Sequence, residues 1–530
     1  MNDWKAKESA VLALGAISEG FFWLEGHLSE IVRLIAPTLT TTAAAGNAAH
    51  TAGGPHPLLA ATACWALSRY IAPIAATALR TGGSGSTLFH AVFSCVLTQT
   101  AASHPKVQCA ATSALDTCVV EVPIELLMPV LDATVDALSS CCARYRGPNL
   151  ALAYSVAARL AGRVGASHEH AHALATARSE AALLGPLAAR MVATQHVDWH
   201  FLSLAQAMAD VLPSFGPFAH KYVPGLAAFS ARVLEATGVG VQVAQGQQSE
   251  LVHSKALGVE CAVVALDLMA AALGTMRDAG DAGGAALLDA GAVACIVRCC
   301  DAEDPAVRQS AFALVGTLAT ALPSLVSGCV HDVVRAATRC MAGVEGAEAE
   351  ATPSREAHHF AINNACWAMR EVFGAFGPGL GEQALDAVAR ALPYLERTAG
   401  YPRALIDNAA LLVGACAAVC APAMAPHLDH FLWNWLVALS TMCDSREKEG
   451  AFHGLCAMLA CNPDAGAKHF ASVCNAVASW REIKSADLSN ALAALLRGYR
   501  QRFASQGTWD AIAGGIQPKV LAKLTERGLV

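Results

Sequence analysis

Two stretches place a cysteine and then a tryptophan among small residues: ATACWALSRY at 61–70 and INNACWAMREV at 362–372. Residues four apart share a face of a helix, so Trp65 neighbours Arg69 and Trp367 neighbours Glu371. An indole beside a charge has no bond-breaking chemistry of its own. It offers a flat apolar anchor with a polar edge, the combination that grips a partner's side chains at interfaces. Periodicity alone favours the plainer role, in which the same indoles fill gaps between alanine-rich helices, because a large aromatic on a helix is more often core than site. Other candidates for chemistry are weaker. HEHAH at 168–172 offers alternate histidines without a second ligand cluster, which favours a solvated run over a metal site. GGSGS at 82–86 lacks the Lys-Ser/Thr of a phosphate loop, and no Ser, His and Asp arrangement has motif support. No catalytic residue, metal or cofactor is expected.

The elements that must carry these residues are helical. The chain has 530 residues, 55% of them hydrophobic and only 6% aromatic, too much apolar chain for one ordinary core. Mean hydropathy is +0.41. Yet the longest uncharged run, 408–426, is built of Ala, Gly and Cys and is broken by Pro422, so membrane insertion is not expected. The N-terminal MNDWKAKESAV has neither the basic nor the apolar region of a secretory signal. The 19 cysteines, spread among Ala and Leu with no zinc spacing, are expected mainly as small core residues. A net charge of −7 has the wrong sign for a phosphate-backbone binder, so direct nucleic-acid binding is not expected.

Seven segments superpose without gaps: KESAVLALG from Lys7, ATACWALSR from Ala61, QCAATSALD from Gln108, RQSAFALVG from Arg308, NNACWAMRE from Asn363, DNAALLVGA from Asp407 and KEGAFHGLC from Lys448. Their fourth residue is always small: Ala10, Cys64, Ala111, Ala311, Cys366, Ala410 and Ala451. The fifth varies through Val11, Trp65, Thr112, Phe312, Trp367, Leu411 and Phe452. Amphipathic stretches such as HLSEIVRLIAPTL and MAPHLDHFLWNWLVAL follow, and most intervals are about 40–55 residues, the period of paired-helix solenoids. DPAVRQSAFALVG, from Asp304, resembles the HEAT signature; Asp304 suits a helix cap and Pro305 a first turn. The expected fold is an all-α superhelical solenoid of about ten or eleven HEAT pairs. If position four packs inward, position five lies 100° round and projects toward a groove.

KESAVLALGAISEG, CWALSRY, VRQSAFALVG, NNACWA and above all SREKEGAFHGLCAMLACNP with CNAVASW resemble, in order, the C-terminal half of the transportins, the karyopherin-β nuclear import receptors. The resemblance runs with gaps from about Trp4 to Val530. It implies a cargo-binding arch for extended nuclear localisation signals that end in Pro-Tyr, and shuttling between cytoplasm and nucleus. By resemblance, Leu12, Thr62, Trp65 and Arg69 receive the Pro-Tyr end, while Asn363, Asn364, Trp367 and Asn408 receive the N-terminal epitope; Ser113 and Asp267 fall on further contact positions. One continuous array over 1–530 is expected: 1–160 for the Pro-Tyr end, 161–345 as middle repeats and 346–530 for the other end. Phe-Gly nucleoporin repeats are a possible partner class. Ran is a partner only if an N-terminal half lies upstream, because KESAVLALGAISEG corresponds to the second helix of a repeat and suggests a fragment.

The departures concern charge. Val119 and Val120 stand where the resemblance calls for an acidic run, leaving Glu121, while Ser155, Gly274 and Thr317 replace further acids. Charge-assisted hydrogen bonds are roughly twice as strong as neutral ones, so strongly basic signals should bind less well. The long segments TTTAAAGNAAHTAGGPHP, VAQGQQSELVHS and GAEAEATPSREA are expected as solvated loops. The alternative function class is a HEAT scaffold bridging protein partners without a transport role.

Overall fold

Several helix starts in this protein pair a capping side chain with a following proline. Asp304 accepts from the Ala306 N–H at 2.8 Å, with Pro305 in the first turn. His56 with Pro57 and His104 with Pro105 repeat the device through ring nitrogens. Ser445 and Ser485 cap later helices with their hydroxyls. In the computed structural model these caps open the second helix of successive helix pairs. Numbering those second helices alone, they are α1 Trp4–Ala16, α2 Pro57–Arg69, α3 Pro105–Glu121, α4 Pro148–Gly165, α5 Phe201–Val211, α6 Val252–Gly274, α7 Pro305–Ala321, α8 Thr352–Phe376, α9 Arg403–Met424, α10 Arg446–Cys461 and α11 Ala486–Ser505. The structure describes residues 4–18, 25–39, 56–239, 252–277, 287–343, 352–396 and 400–530, and no strand occurs among them.

The chain divides into two compact units, Met1–Phe229 and Ser230–Val530. In the first, α1 to α5 stack in order, and in the second α6 to α11 do so. First helices such as Gly83–Thr100, Leu131–Arg144 and Leu428–Thr441 pack against the stacked row. Small residues set the closest approach: a Cβ on Gly454 would run into the Gly414 carbonyl oxygen, and one on Gly414 would meet the backbone of Ala451. Buried polar tips are satisfied across neighbours. Tyr145 donates to the Thr100 carbonyl at 2.7 Å, Tyr394 to that of Met341 at 2.7 Å, and Trp435 to that of Ala410 at 2.9 Å.

Some expected boundaries move. GAEAEATPSREA is not wholly a loop, since Thr352–Ala357 already belongs to α8, whose 25 residues recruit it into the first turns. Likewise Val252–Ser254 belong to α6, and GGSGS lies across a break from which the helix Gly83–Thr100 starts. The remainder of those two long loops, and TTTAAAGNAAHTAGG at 40–54, lie outside the described residues. HEHAH occupies turns ahead of Ala177–Ser179. By length and composition alone, three helical stretches, Ile124–Arg144, Leu257–Gly274 and Arg403–Thr441, are apolar enough to cross a membrane, contrary to the sequence expectation. About half of each window is buried by neighbouring helices, the burial that a stacked repeat gives its apolar stripe.

Most cysteines are buried or half-buried; Cys109, Cys443 and Cys461 are exposed. Burial pushes the thiols of Cys64, Cys118, Cys142 and Cys474 up to about 12. Alkylation of the folded protein at neutral pH is therefore expected at those three exposed thiols first. Mass spectrometry finding Cys118 or Cys474 modified at a comparable rate would contradict this packing.

Candidate functional site

In the first unit, Glu8, Leu12 and Gly15 form one stripe of α1 at helical spacing. The Thr62 hydroxyl donates to Glu8 at 3.2 Å. The Trp65 ring lies over Gly15 so closely that no Cβ would fit there, while the indole keeps 38% of its surface exposed. Leu12, between these contacts, is 51% exposed, and Arg69, one turn beyond Trp65, is exposed too. Ser113 is exposed on α3. An apolar platform with a guanidinium at its edge results.

The second unit repeats the construction. Asn364 donates to the Gln309 carbonyl at 2.9 Å, and the Trp367 ring covers Gly316, again without room for a Cβ. Side-chain amides continue the row: Asn408 donates to Asn363 at 2.9 Å, and Asn363 to Asn364 at 3.1 Å. Trp367, Asn363, Asn364, Asn408 and Asp267 are all half-buried. Glu371 does not stand alone beside Trp367, because Arg370 Nε donates to its carboxylate at 3.0 Å.

Both platforms thus join the second residue of one segment to the second residue of the next, and a ninth-residue glycine to a fifth-residue tryptophan. The signal was present in the sequence and was missed. Of the seven segments, only KESAVLALG and RQSAFALVG end in glycine, and each is followed by the segment that carries Trp. Replacing Gly316 by Ala should displace the indole and destabilise the second unit by about 1–3 kcal/mol, as overpacking does. An unchanged denaturation midpoint would rule the slot out.

Other expectations from the segment alignment are corrected. Position five does not generally project: Val11, Thr112, Phe312 and Phe452 are buried. Ala10, expected inside, is exposed. A second helix has a neighbour on each side as well as its own first helix, so the buried stripe is wide and Phe or Thr at its edge turns inward. An indole already seated over a glycine does not. Val119 is fully buried and cannot face a ligand, whereas Val120 is 42% exposed.

One carboxylate on the first unit's face is paired internally. Arg159 lies 2.8 Å from Asp116 Oδ2 and donates to Ser155 at 3.3 Å. Burial raises the Asp116 pKa against the pull of that guanidinium. In the second unit, a Cβ added to Gly274 would meet the Thr317 methyl at ordinary van der Waals distance. Among the described residues no three His, Cys, Asp or Glu side chains are grouped to hold a metal.

The SREKEGAF and CNAVASW segments meet around one cation. Lys448 is fully buried; its ammonium donates to the Met442 carbonyl at 3.0 Å and Ser479 at 3.1 Å, and lies 3.4 Å from Asp444. It also sits 4.6 Å from the centre of the Trp480 ring. The part of the sequence that most strongly carries the resemblance is therefore a structural knot.

With this geometry in hand, the chain can be set beside known proteins. No family model matches it. It is 30% identical over 534 residues to Transportin-1 of Oryza sativa subsp. japonica, covering 99% of this chain and 54% of that protein. Over 501 residues it is 26% identical to Transportin-1 of Homo sapiens, covering 94% and 51% respectively. A crystal structure of importin β obtained in polyethylene glycol aligns with TM-score 0.58 at 12% identity, over 99% of this chain and 66% of that one. The chain belongs to the karyopherin-β family. This karyopherin-β chain spans about half the length of the transportins it matches. The likeness to importin β bears on the fold, a HEAT-repeat solenoid, and agrees with the stacked pairs described above.

Proposed function

We propose that this karyopherin-β chain is a non-catalytic nuclear import receptor's cargo-binding half, which holds extended nuclear localisation signals of the Pro-Tyr type on its second-helix faces. The observation that supports it most is the recurrence of one platform in both units: an indole over a glycine, exposed at Trp65 and half-buried at Trp367, flanked by polar groups from adjacent helices. A solvent-facing aromatic held rigid loses little entropy on binding, which suits an anchor for a flexible peptide. The amide row of Asn363, Asn364 and Asn408 adds donors and acceptors of the kind a peptide main chain needs.

Trp65, Arg69, Leu12, Thr62 and Ser113 are assigned to the Pro-Tyr end, and Trp367, Asn363, Asn364, Asn408 and Asp267 to the N-terminal epitope. Residues 1–530 act as one array in this reading, working in cytoplasm and nucleus. Kap95p, a neighbour with TM-score 0.55 at 11% identity, is known with RanGDP. Ran control is proposed here only for a receptor that also carries an upstream half. For Phe-Gly segments the candidate is a groove of about 710 Å³ between Ala290–Cys300 and Val330–Met341, lined by apolar residues such as Val293, Val297 and Leu325 and by charged ones such as Arg298, Asp332 and Arg335.

The test is fluorescence titration of a labelled signal peptide ending in Pro-Tyr, with a second peptide in which that pair is Ala-Ala. Saturable binding of the first, weakened about tenfold or more in the second, is expected if two anchors share the free energy. Equal affinity for both peptides would favour the scaffold reading.

A further inference from the structure

Arg159 and Arg163 sit four residues apart on α4 and so share a face. Like charges at that spacing repel, and a single carboxylate, that of Asp116, is paired with them. Arg159 is paired with Asp116 of α3, but unequally: its side chain is 49% exposed, while that carboxylate is 18% exposed. The positive group faces solvent and the negative one is withdrawn. Arg163 is held by carbonyl groups, donating to Val122 at 2.9 Å and also to Val120. Carbonyls orient a guanidinium without cancelling its charge.

The surroundings add little negative charge to this patch. Ser155 is neutral and bonded to Arg159, and Val120 presents apolar surface. Glu121 is exposed and lies between the two residues whose carbonyls hold Arg163, but five residues from Asp116 it sits about 140° round α3 from the Arg159 pair. On α5 the exposed Asp210 is bonded by Gln206 at 3.4 Å.

Resting on the peptide-binding reading above, we infer that the α3–α4 face selects signals whose residues just before the Pro-Tyr end are acidic, with an Asp or Glu carboxylate taken by Arg159 and Arg163. Arg159 then does two things. It offers N–H donors to the peptide, and it masks Asp116, the carboxylate that would otherwise attract a basic residue.

Three peptides of one length test this, identical except for the residues preceding Pro-Tyr, which are Glu/Asp, Ser/Ala or Arg/Lys. Each is titrated at low and high salt against the whole chain, Arg159→Ala, Arg159→Ala with Asp116→Asn, and Arg163→Gln, with a thermal melt of every variant. The unaltered chain should prefer the acidic peptide to the basic one by about tenfold, the worth of one charge-assisted contact, and the gap should narrow in salt. Arg159→Ala should reverse the order by unmasking Asp116, and the double variant should abolish discrimination. Arg163→Gln, which leaves the Asp116 pair intact, should weaken the acidic peptide alone. Binding of all three peptides with equal or greater affinity for the basic one overturns this inference and leaves the peptide-binding reading standing. Binding of none of them sinks that reading, and this one with it.

Discussion

Lys448→Ala is expected to destabilise the second unit by about 3–5 kcal/mol, the usual loss when one member of a buried ion pair is removed. The ammonium is fully buried, so truncation leaves the Met442 carbonyl and the Ser479 hydroxyl without their donor. It also removes the partner of Asp444, whose other oxygen accepts the N–H groups of Arg481 at 2.7 Å and Glu482 at 3.1 Å. The knot therefore ties the start of α10 to the segment after Phe470–Ala478. Lys448→Met, which keeps the stem against Trp480, should lose less. Burial disfavours the Lys448 charge, with Asp444 opposing that effect. For Asp444, burial is outweighed by the donors of Glu482 and Arg481 and by Lys448, so its pKa is lowered. A carboxylate with a depressed folded-state pKa adds stability above its unfolded value and loses it as pH falls through the folded one. The gap between the unaltered chain and Asp444→Asn should thus be full at neutral pH and shrink below about pH 4. Urea melts at both pH values check the sign, and a pH-independent gap would deny the pair its role.

Trp65→Ala and Trp367→Ala are expected to weaken signal-peptide binding by about 2 kcal/mol or more each, as interface anchors do, with only a small change in folding stability. A fully enclosed aromatic would instead lose about 3–5 kcal/mol of fold stability on truncation, through the cavity it leaves. Each indole has one face on glycine, and Trp65 is exposed while Trp367 is half-buried, so neither is fully enclosed and truncation opens a slot that water can enter. Melting temperatures should drop by only a few degrees, since about 1 kcal/mol shifts a unit of this size by roughly 2–4 °C. If both variants melt far lower, the indoles are mainly packing and the anchor reading of INNACWAMREV fails. Losing binding in only one variant would confine recognition to that unit.

Much of the fold was legible in the sequence because it depends on local rules. Asp304 before Pro305 announces a helix start, and the recurring small residue with its apolar neighbours announces stacked pairs, since both follow from hydrogen bonding and helical period within one segment. The preference of the cysteines for the interior follows from their size and hydrophobicity. What the tertiary structure alone decided is how side chains of different repeats register. Val11 and Phe312 turn inward at the position where Trp65 and Trp367 reach solvent, because the glycine that seats each indole belongs to the preceding helix. Asp116 reads as an available acid until Arg159, 43 residues later, is found against it. Lys448 looks like a surface charge near a helix start, yet Ser479 and Trp480 arrive from the next pair to enclose it. Periodicity fixes which side of a helix is apolar, whereas the rotation of that helix against its neighbours comes from interlocking side chains, and those contacts are long-range in the chain.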